Sequence, residues 1–386
     1  MKRLFIALLL SGFAHAAVPT GFTETVYTGS GLVPATSMAF APDGSGRLFI
    51  TGKNGTVRVV QFVNGRPQTS SGMTLVTSVF ATEPAVYTAS EGGLLSVSFD
   101  PNFVSNHYVY FFVSVSASQQ QIVRYTDVQN VGVARTVIVP NLPTAGQNHV
   151  GGATGFGPDG KLYWAIGDLG NGTGVDADLT SLASKVGRAN VDGSPVNDNP
   201  FNDGVGPNNE FIWARGFRNP FTFTFRPEDG VLWVNCVGTG YEQVFAVNAG
   251  DHAGYNDYEN NQPVGYLTPV IKYRTNGTDS RTITAMGAVR DASGVMTFTT
   301  TATHGFRVGE RIVVAGVTDS SFNGTWYVTS RPTNTTWTAQ GTGGAATSGG
   351  GTATTHSLGG SITGGAFYDS TLFDVQHQGA FFFGDY

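Results

Sequence analysis

Short strand-like runs of apolar residues, separated by tight polar turns, are the dominant pattern along this chain. Four of them share one layout, in which an apolar strand ends at a Pro-Asx turn and a second apolar strand follows. The four copies are residues 40–44 with 47–50, 99–102 with 108–112, 156–160 with 161–164, and 225–230 with 231–234. Proline presets the backbone at such a turn, and Asp, Asn or Gly completes it. Each copy therefore predicts a β-hairpin.

These hairpin motifs recur at long and similar intervals. Their prolines lie about 60 to 70 residues apart, and an all-strand repeat of that length indicates the blades of a β-propeller. A plain β-sandwich would not repeat a whole unit at this spacing, and a β-helix would repeat at shorter intervals. Two more strands are predicted at 361–368 and 380–386. Because the last would leave an apolar edge uncovered, we expect a C-terminally incomplete ring of about five blades.

Residues 274–355 interrupt the propeller pattern, which we assign to 17–273 and 356–386. Alternating positions at 297–301 and 311–314 predict short strands, and Asn323-Gly324 predicts a hairpin turn before 326–328. The segment ends in the Gly-, Thr-, Ala- and Ser-rich residues 341–355, a composition typical of a flexible linker. We predict an inserted small β module, because surface loops tolerate insertions. Residues 303–310 resemble small β modules of phage tail fibres and bacterial adhesins.

The first 16 residues have the pattern of a secretory signal peptide. Two basic residues precede an apolar run over 4–10, and residues 14–16 (Ala-His-Ala) supply the small-x-small cleavage pattern. The run is too short to span a bilayer, and no other segment is long enough. We therefore expect no membrane span and a periplasmic or secreted mature protein.

Composition supports an all-β chain and argues against some partners. Of the 386 residues 53 are Gly, only 12% are charged, and the net charge is −6 without any run of Lys or Arg. That charge argues against nucleic acid and anionic membrane surfaces as partners. The single cysteine, Cys236, excludes an intramolecular disulfide. Its apolar surroundings at 232–237 favour a buried structural thiol over a reactive one.

One hairpin motif carries residues that could do chemistry. His149 stands just before a predicted strand, and Asp168 follows the strand after the Pro-Asp-Gly turn. A hairpin folds such ends back on each other, which would bring both residues to one rim of a sheet. A carboxylate that accepts one imidazole N–H leaves the other ring nitrogen available as a base. The alternative, of equal weight on these two residues alone, is that His149 caps a turn and Asp168 ends a strand.

Several motifs together resemble the soluble quinoprotein glucose/sorbosone dehydrogenase family. They fall in family order and cover roughly residues 30–273 and 356–386. The matching pieces are residues 91–101 (EGGLLSVSFDP), 148–168, 185–194 (KVGRANVDGS), 199–201 (NPF), 212–220 (IWARGFRNP), 241–256, 361–368 and 383–386 (FGDY). The resemblance implies a six-bladed propeller that holds pyrroloquinoline quinone (PQQ) and calcium and oxidises an aldose to its lactone, with an external electron acceptor.

The resemblance also implies roles for individual residues. The catalytic base falls on His149 and its orienting carboxylate on Asp168. Arg218 would stabilise negative charge growing on the quinone oxygen, and Asn219 would contact the cofactor beside it. The alternative for Arg218 is a rim arginine tied to strand-end carbonyls.

Two calcium sites are implied as well. Backbone carbonyls near Gly238 and Thr239 would hold the ion that polarises the quinone. A second, structural calcium is implied at Glu242, together with the carbonyl of His252. The alternative for Glu242 is a surface carboxylate.

The sequence departs from the family pattern at several positions. Glu91 stands at the cofactor edge where glutamine is common, and Asn148 stands beside the base, facing the substrate, where the best-known member has aspartate. Ala153 and Thr154 stand where an arginine usually follows the Gly-Gly pair. The lysine and arginines that clamp the PQQ carboxylates lie beyond the Gly-Asp-Tyr motif, at which this sequence ends. Paired cations supply much of such binding, so we expect weak cofactor binding by the chain as given.

Two other functions remain open at this stage. One is a non-catalytic propeller that binds carbohydrate or protein, which the adhesin-like insert would suit. The other is a lactonase-like metal hydrolase, which would require several Asp, Glu or Asn side chains to converge on one ion.

Overall fold

The computed structural model describes residues 5–7, 24–29, 31–32, 34–145, 147–170, 174–259, 262–370 and 377–385. In these ranges the chain is built almost entirely of β-strands. Its helical elements are α1 (Phe103–Asn106), α2 (Tyr255–Tyr258) and two 3₁₀ turns, Asn209–Phe211 and Ser320–Phe322. None of the described helices has the length and apolar character needed to cross a membrane. The predicted signal peptide lies outside the described residues, except for strand β1 at 5–7.

The chain divides into two compact units. Unit 1 contains residues 1–164 and 189–195, and unit 2 contains 165–188 and 196–386. The strands that begin in unit 1 are β1 (Phe5–Ala7), β2 (Glu24–Val26), β3 (Ala35–Phe40), β4 (Arg47–Gly52), β5 (Thr56–Val63), β6 (Arg66–Pro67), β7 (Thr77–Thr82), β8 (Leu94–Phe99), β9 (Tyr108–Ser116), β10 (Gln119–Val128), β11 (Val131–Pro143), β12 (Thr154–Phe156) and β13 (Leu162–Ile166).

Unit 1 contains two antiparallel meanders and a hairpin. One sheet has the order β3-β4-β5-β6, with β7 also on β5, and the next has the order β11-β10-β9-β8. Strands β12 and β13 pair antiparallel from Thr154 opposite Trp164. The two meanders share an aromatic core. The ring of Phe49 packs edge-on against the rings of Phe80 and Phe99, with centroid distances of 5.0 and 5.1 Å. Such edge-to-face pairs add stability beyond their buried area.

The strands that begin in unit 2 form an antiparallel pair, a meander, a large inserted sheet and a last strand pair. They are β14 (Lys185–Ala189), β15 (Ile212–Arg215), β16 (Asn219–Phe225), β17 (Leu232–Val237), β18 (Tyr241–Val247), β19 (Ile271–Arg274), β20 (Thr278–Arg290), β21 (Val295–Thr300), β22 (Arg311–Ala315), β23 (Gly324–Tyr327), β24 (Thr336–Gln340), β25 (Ala346–Ser348), β26 (Thr352–His356), β27 (Ile362–Phe367) and β28 (Phe381–Asp385).

The predicted Pro-Asx hairpins are confirmed. Strands β3 and β4, β8 and β9, β12 and β13, and β16 and β17 are antiparallel neighbours across the four repeated turns. In the third turn the Asp159 carboxylate accepts the Lys161 N–H at 3.1 Å, and Gly160 has a positive φ of 71°. A repeated four-stranded antiparallel meander, seen in β8–β11 and in β16–β19, is the building block of a β-propeller.

Residues 278–356 form one seven-stranded sheet of order β23-β22-β26-β20-β21-β24, with β25 on β20. This sheet, called the module below, has its own core, in which the Phe298 and Trp337 rings stack with centroids 4.5 Å apart. The flexible linker predicted at 341–355 is wrong for β25 and β26. Strand β26 pairs with both β20 and β22, and Ala353 and Thr355 are fully buried. Its small alternating residues fit a close-packed interior strand, which composition alone does not distinguish from a linker.

Candidate functional site

Asp168 and Arg218 are joined through the backbone in unit 2. Asp168 lies two residues after the end of β13 and is only 2% exposed, and its N–H donates to the Arg218 carbonyl at 2.7 Å. Its carboxylate accepts the Gly170 N–H at 2.8 Å. The Ser184 hydroxyl donates to the carbonyl of Phe217, the residue before Arg218, at 2.8 Å. These hydrogen bonds hold the segment after β13, which contains Asp168, against the segment before β16, which contains Arg218. This arrangement is called the Asp168–Arg218 corner below.

Arg218 directly precedes β16, and its guanidinium group lies beside an aromatic ring. It is half-buried, its Nη1 donates to the Val237 carbonyl at 3.2 Å, and its carbon lies 5.9 Å from the centre of the Tyr255 ring. Its Nε is buried without a hydrogen-bond partner among the described residues. An arginine with an N–H group that makes no hydrogen bond can donate that group to a negatively charged ligand. The rim-arginine alternative accounts for the Val237 contact but leaves Nε without a partner.

Tyr255 links Arg218 to the loop after β17. The Tyr255 and Thr239 hydroxyls lie 3.0 Å apart. Burial raises the pKa of Tyr255 above its usual value, and the Glu259 and Asp168 charges act in the same direction while Arg218 opposes them. The phenol therefore stays protonated and neutral. In the sequence Tyr255 stands out only as part of the motif 241–256, so its position beside Arg218 was not predicted.

The loop 238–240 is held by Glu259, a residue that sequence reasoning missed altogether. The Glu259 carboxylate accepts the N–H groups of Thr239 and of Gly240, the second at 3.2 Å. Successive backbone N–H groups of this kind form an anion-binding site, and here the Glu259 carboxylate of the same chain occupies it. The spacing of four residues from Tyr255 to Glu259 along a helical turn was the available signal.

The predicted calcium carbonyls at Gly238 and Thr239 lie in a tight loop. The Thr239 carbonyl accepts the Thr275 hydroxyl at 3.1 Å. At Gly238 a Cβ would lie 1.8 Å from the Tyr241 carbonyl oxygen and 2.6 Å from Glu259 Oε1. Glycine is therefore required there for close packing of backbone against backbone.

Glu242 is a buried carboxylate, so the surface-carboxylate alternative is wrong. It is 0% exposed on β18, and its Oε2 accepts the Ile362 N–H at 2.9 Å. Burial raises the pKa of Glu242 to about 7, and the charge of Asp385 acts in the same direction. Its Oε1 is buried without a hydrogen-bond partner among the described residues. Leaving such an oxygen unsatisfied costs about 1–3 kcal/mol, so this atom fits a hard, oxygen-binding cation such as calcium.

The other groups near Glu242 do not complete a metal cage of acidic side chains. Asp385 accepts the Tyr273 hydroxyl and, at 2.9 Å, the Ser361 N–H. Over the described ranges no group of three or more His, Cys, Asp or Glu side chains is arranged to hold a metal ion. A cation at Glu242 would therefore draw part of its coordination from carbonyls or water.

His252 is occupied by contacts other than the predicted metal role. Its carbonyl accepts the Leu267 N–H at 2.8 Å, and its Nδ1 accepts the Gly254 N–H at 2.9 Å. Its Nε2 lies 3.9 Å from the Asp176 carboxylate, and its ring meets the Tyr266 ring edge-on at 4.9 Å. Burial lowers the pKa of His252, which favours the neutral imidazole that these contacts use.

The remaining predicted residues belong to unit 1. His149 is half-buried and has a positive φ of 55°, a left-handed conformation that few residues other than glycine adopt. Glu91 brackets it, since the Glu91 carboxylate accepts the Val150 N–H at 3.2 Å and the Glu91 N–H donates to the Gln147 carbonyl at 3.0 Å. Asn148 accepts the Ser90 hydroxyl at 2.9 Å. The pairing of His149 with Asp168 stays a prediction.

Asn219 and Cys236 lie on the paired strands β16 and β17. Asn219 is 3% exposed and Cys236 1% exposed. The backbone N–H groups of Arg218 and Asn219 point at the thiol, but burial dominates and raises the pKa of Cys236 to about 12. The prediction of a buried structural thiol is confirmed.

Comparison with known proteins identifies relatives. The sequence profile of the Glucose / Sorbosone dehydrogenase family matches residues 33–329. Aldose sugar dehydrogenase YliI of Escherichia coli is 32% identical over 208 residues, covering 52% of each chain. The Hedgehog-interacting protein of Mus musculus is 27% identical over 209 residues, 44% of this chain and 28% of the relative. The chain spans about half the length, or less, of these curated relatives.

A solved structure supports the fold. The PQQ-bound aldose sugar dehydrogenase of Streptomyces coelicolor superposes with a TM-score of 0.55 at 22% identity, covering 85% of this chain and 96% of that one. The likeness establishes a β-propeller fold for this all-β chain, as the repeated hairpins predicted.

Proposed function

Because the chain belongs to the glucose/sorbosone dehydrogenase family, we propose that it is an exported quinoprotein that oxidises an aldose sugar at C1 to the lactone. The observation that carries the proposal is the corner that joins Asp168 to Arg218, with the Arg218 guanidinium beside Tyr255. This supports the role that the family resemblance assigns to Arg218, because the guanidinium is a cation held by neighbouring groups. Export is inferred from the pattern of residues 1–16, and reoxidation would need an external electron acceptor.

Each residue of the candidate active site has a distinct task in this proposal. His149 takes the proton of the C1 hydroxyl, and Asp168 orients its imidazole. Arg218 would stabilise the negative charge that develops on the hydride acceptor, a preorganised electrostatic role. These two assignments rest on the family motif and, for Arg218, on its uncommitted Nε.

Further residues would hold the cofactors and the sugar. PQQ, when bound, supplies the two-electron oxidant that accepts the hydride from C1. Glu91 and Asn219 would contact the cofactor, and Asn148 would contact the sugar. A calcium ion at the unsatisfied Glu242 oxygen would stiffen the blade, because a hard cation satisfies that buried atom.

The test is sugar-dependent reduction of a redox dye by the full chain supplied with PQQ and calcium. We expect turnover with at least one aldose and a loss of about 10²–10⁴-fold in His149→Ala, the usual contribution of a general base. His107→Ala is the matched control, since His107 also has a left-handed backbone, with φ 58°, in unit 1. No turnover with any aldose in the unmodified chain would contradict the proposal.

The alternative is a non-catalytic propeller that binds carbohydrate or protein. The likeness to the Hedgehog-interacting protein and the presence of an extra seven-stranded module favour it. It predicts no dye reduction under any condition, together with a carbohydrate or protein ligand whose binding is unaffected by His149→Ala.

A further inference from the structure

The module is joined to the propeller meander at two buried charged residues. The backbone of Lys272 on β19 pairs with the backbone of Glu310, which directly precedes β22 of the module, in an isolated parallel β-bridge. Their residues are 1% and 0% exposed. The Glu310 carboxylate accepts the Arg307 N–H at 2.7 Å and lies 3.5 Å from Arg274 Nε. The negative charge of Glu310 thus lies beside Arg274 and favours the charged form of Lys272, and a buried ion without opposite charges nearby is strongly unfavourable.

Lys272 carries this contact onward to Glu259. Its ammonium group donates to the Glu259 carbonyl at 3.0 Å and lies 4.7 Å from the centre of the Tyr241 ring. The Gln243 amide donates to the same carbonyl at 2.7 Å. Since the Glu259 carboxylate caps the N–H groups of the loop 238–240, a displacement of Lys272 would remove one of the donors that hold the Glu259 backbone in position for this cap.

A second connection reaches the same loop from the base of the module. Thr275 donates its N–H to the Gly240 carbonyl at 3.2 Å and its hydroxyl to the Thr239 carbonyl at 3.1 Å. On the other side of the module, the Ser357 hydroxyl donates to the Thr275 carbonyl at 3.0 Å. The two chain segments that enter and leave the module therefore meet at Thr275 and hold the loop together.

We propose that the module is a positioning element of the site: Glu310 fixes Lys272, and Lys272 and Thr275 together hold Glu259 and the loop 238–240. Through the contact of the Thr239 and Tyr255 hydroxyls, 3.0 Å apart, the same chain of contacts sets the Tyr255 ring beside Arg218. The insertion is thus part of the structure that orders Arg218. This inference rests on the proposed function only in treating Arg218 as a residue of the site.

Amide hydrogen exchange on the full chain without cofactor tests the proposal. In Lys272→Met, which keeps the length of the side chain but removes its charge and donors, we expect peptides covering 238–243 to exchange at least ten-fold faster. Lys272→Arg restores a charged donor and should restore most of the protection. Asp291→Asn is the control for the module, because Asp291 caps a surface turn between β20 and β21 and should leave 238–243 unchanged.

A second variant keeps the test decisive if Lys272→Met does not fold. Glu310→Gln removes the buried negative charge beside Lys272 and Arg274 and should also accelerate exchange at 238–243 while β21 in the module core keeps its protection. Unchanged exchange at 238–243 in a folded variant would overturn the proposal. Equal acceleration in Lys272→Met and Lys272→Arg, or equal acceleration across all of β16 and β17, would do the same.

The exchange measurement separates this inference from the proposed function. It needs neither PQQ nor sugar, so a protein that never turns over can still show the coupling. In the converse case, turnover in the dye assay with unchanged exchange in both variants would retain the dehydrogenase and reject the positioning role.

Discussion

Replacing Gly238 with alanine is the sharpest test of how tightly the loop 238–240 is built. The added Cβ would lie 1.8 Å from the Tyr241 carbonyl oxygen and 2.6 Å from Glu259 Oε1, whereas side-chain carbons essentially never approach closer than 3.0 Å. The Glu259 carboxylate could turn aside, but the Tyr241 carbonyl is backbone on β18. The loop and the strand must therefore separate by roughly 1 Å or more, as in other overpacked sites.

The expected cost can be placed on a scale. Overpacking costs typically about 1–3 kcal/mol, and the upper end applies here because no side-chain rotation relieves the backbone clash. With a urea dependence of roughly 2–3 kcal/mol per molar, a loss of about 3 kcal/mol lowers the unfolding midpoint by about 1 M. The midpoint can be followed by tryptophan fluorescence, with Trp233 on the adjacent strand β17 reporting on this sheet.

Gly344→Ala is the matched control. A Cβ on Gly344 meets nothing within 4 Å, and its φ lies outside the left-handed range, so its midpoint should stay at the value of the unmodified chain. If Gly238→Ala also unfolds at that value, and its 238–243 peptide keeps its hydrogen-exchange protection, then the close approach of Gly238 to Tyr241 is wrong and the reasoning about the loop fails with it.

Three further predictions address other parts of the molecule. Cys236, 1% exposed and with its pKa raised to about 12 by burial, should resist a thiol reagent at pH 8 and react only on denaturation; rapid labelling of the native chain would contradict its placement. Trp337→Ala removes the ring stacked on Phe298 and should destabilise the module by about 3–5 kcal/mol, which the exchange of β21 peptides would report; unchanged exchange would refute that core. Arg218→Lys should weaken PQQ binding about ten-fold in an absorbance titration without shifting the urea midpoint, because lysine lacks the planar fork beside Tyr255; equal affinity would remove Arg218 from the site.

Local sequence was sufficient for the strand pairs. The Pro-Asx turns and their flanking apolar runs specify each hairpin from fewer than twenty consecutive residues, because turn chemistry and side-chain alternation act over that range. The same local logic predicted the buried thiol at Cys236 on its apolar strand. It misread residues 346–348 and 352–355 as part of a linker, since Thr, Ala and Gly suit a linker and a tightly packed inner strand equally well.

The candidate site was predictable only in part. Asp168 and Arg218 each belong to a sequence motif and were predicted from it, and the structure joins their backbones through one hydrogen bond. Glu259 escaped because its partners, the N–H groups of the loop 238–240, lie about twenty residues earlier in the chain and carry no side-chain signal. The burial of Glu242 and its unsatisfied oxygen were equally invisible, because β18 reads as an ordinary strand with one acidic position.

The sequence alone determined the all-β class, the repeated hairpins and the family, since each depends on short-range patterns or on motifs in a set order. Only the tertiary structure decided which charges are buried and what they hold. Lys272 and Glu310 are 38 positions apart and look like surface charges, yet both residues are buried and their backbones pair in a parallel β-bridge. The cost of burying a charge depends on what surrounds it in space, and that environment comes into being only when distant strands are packed together.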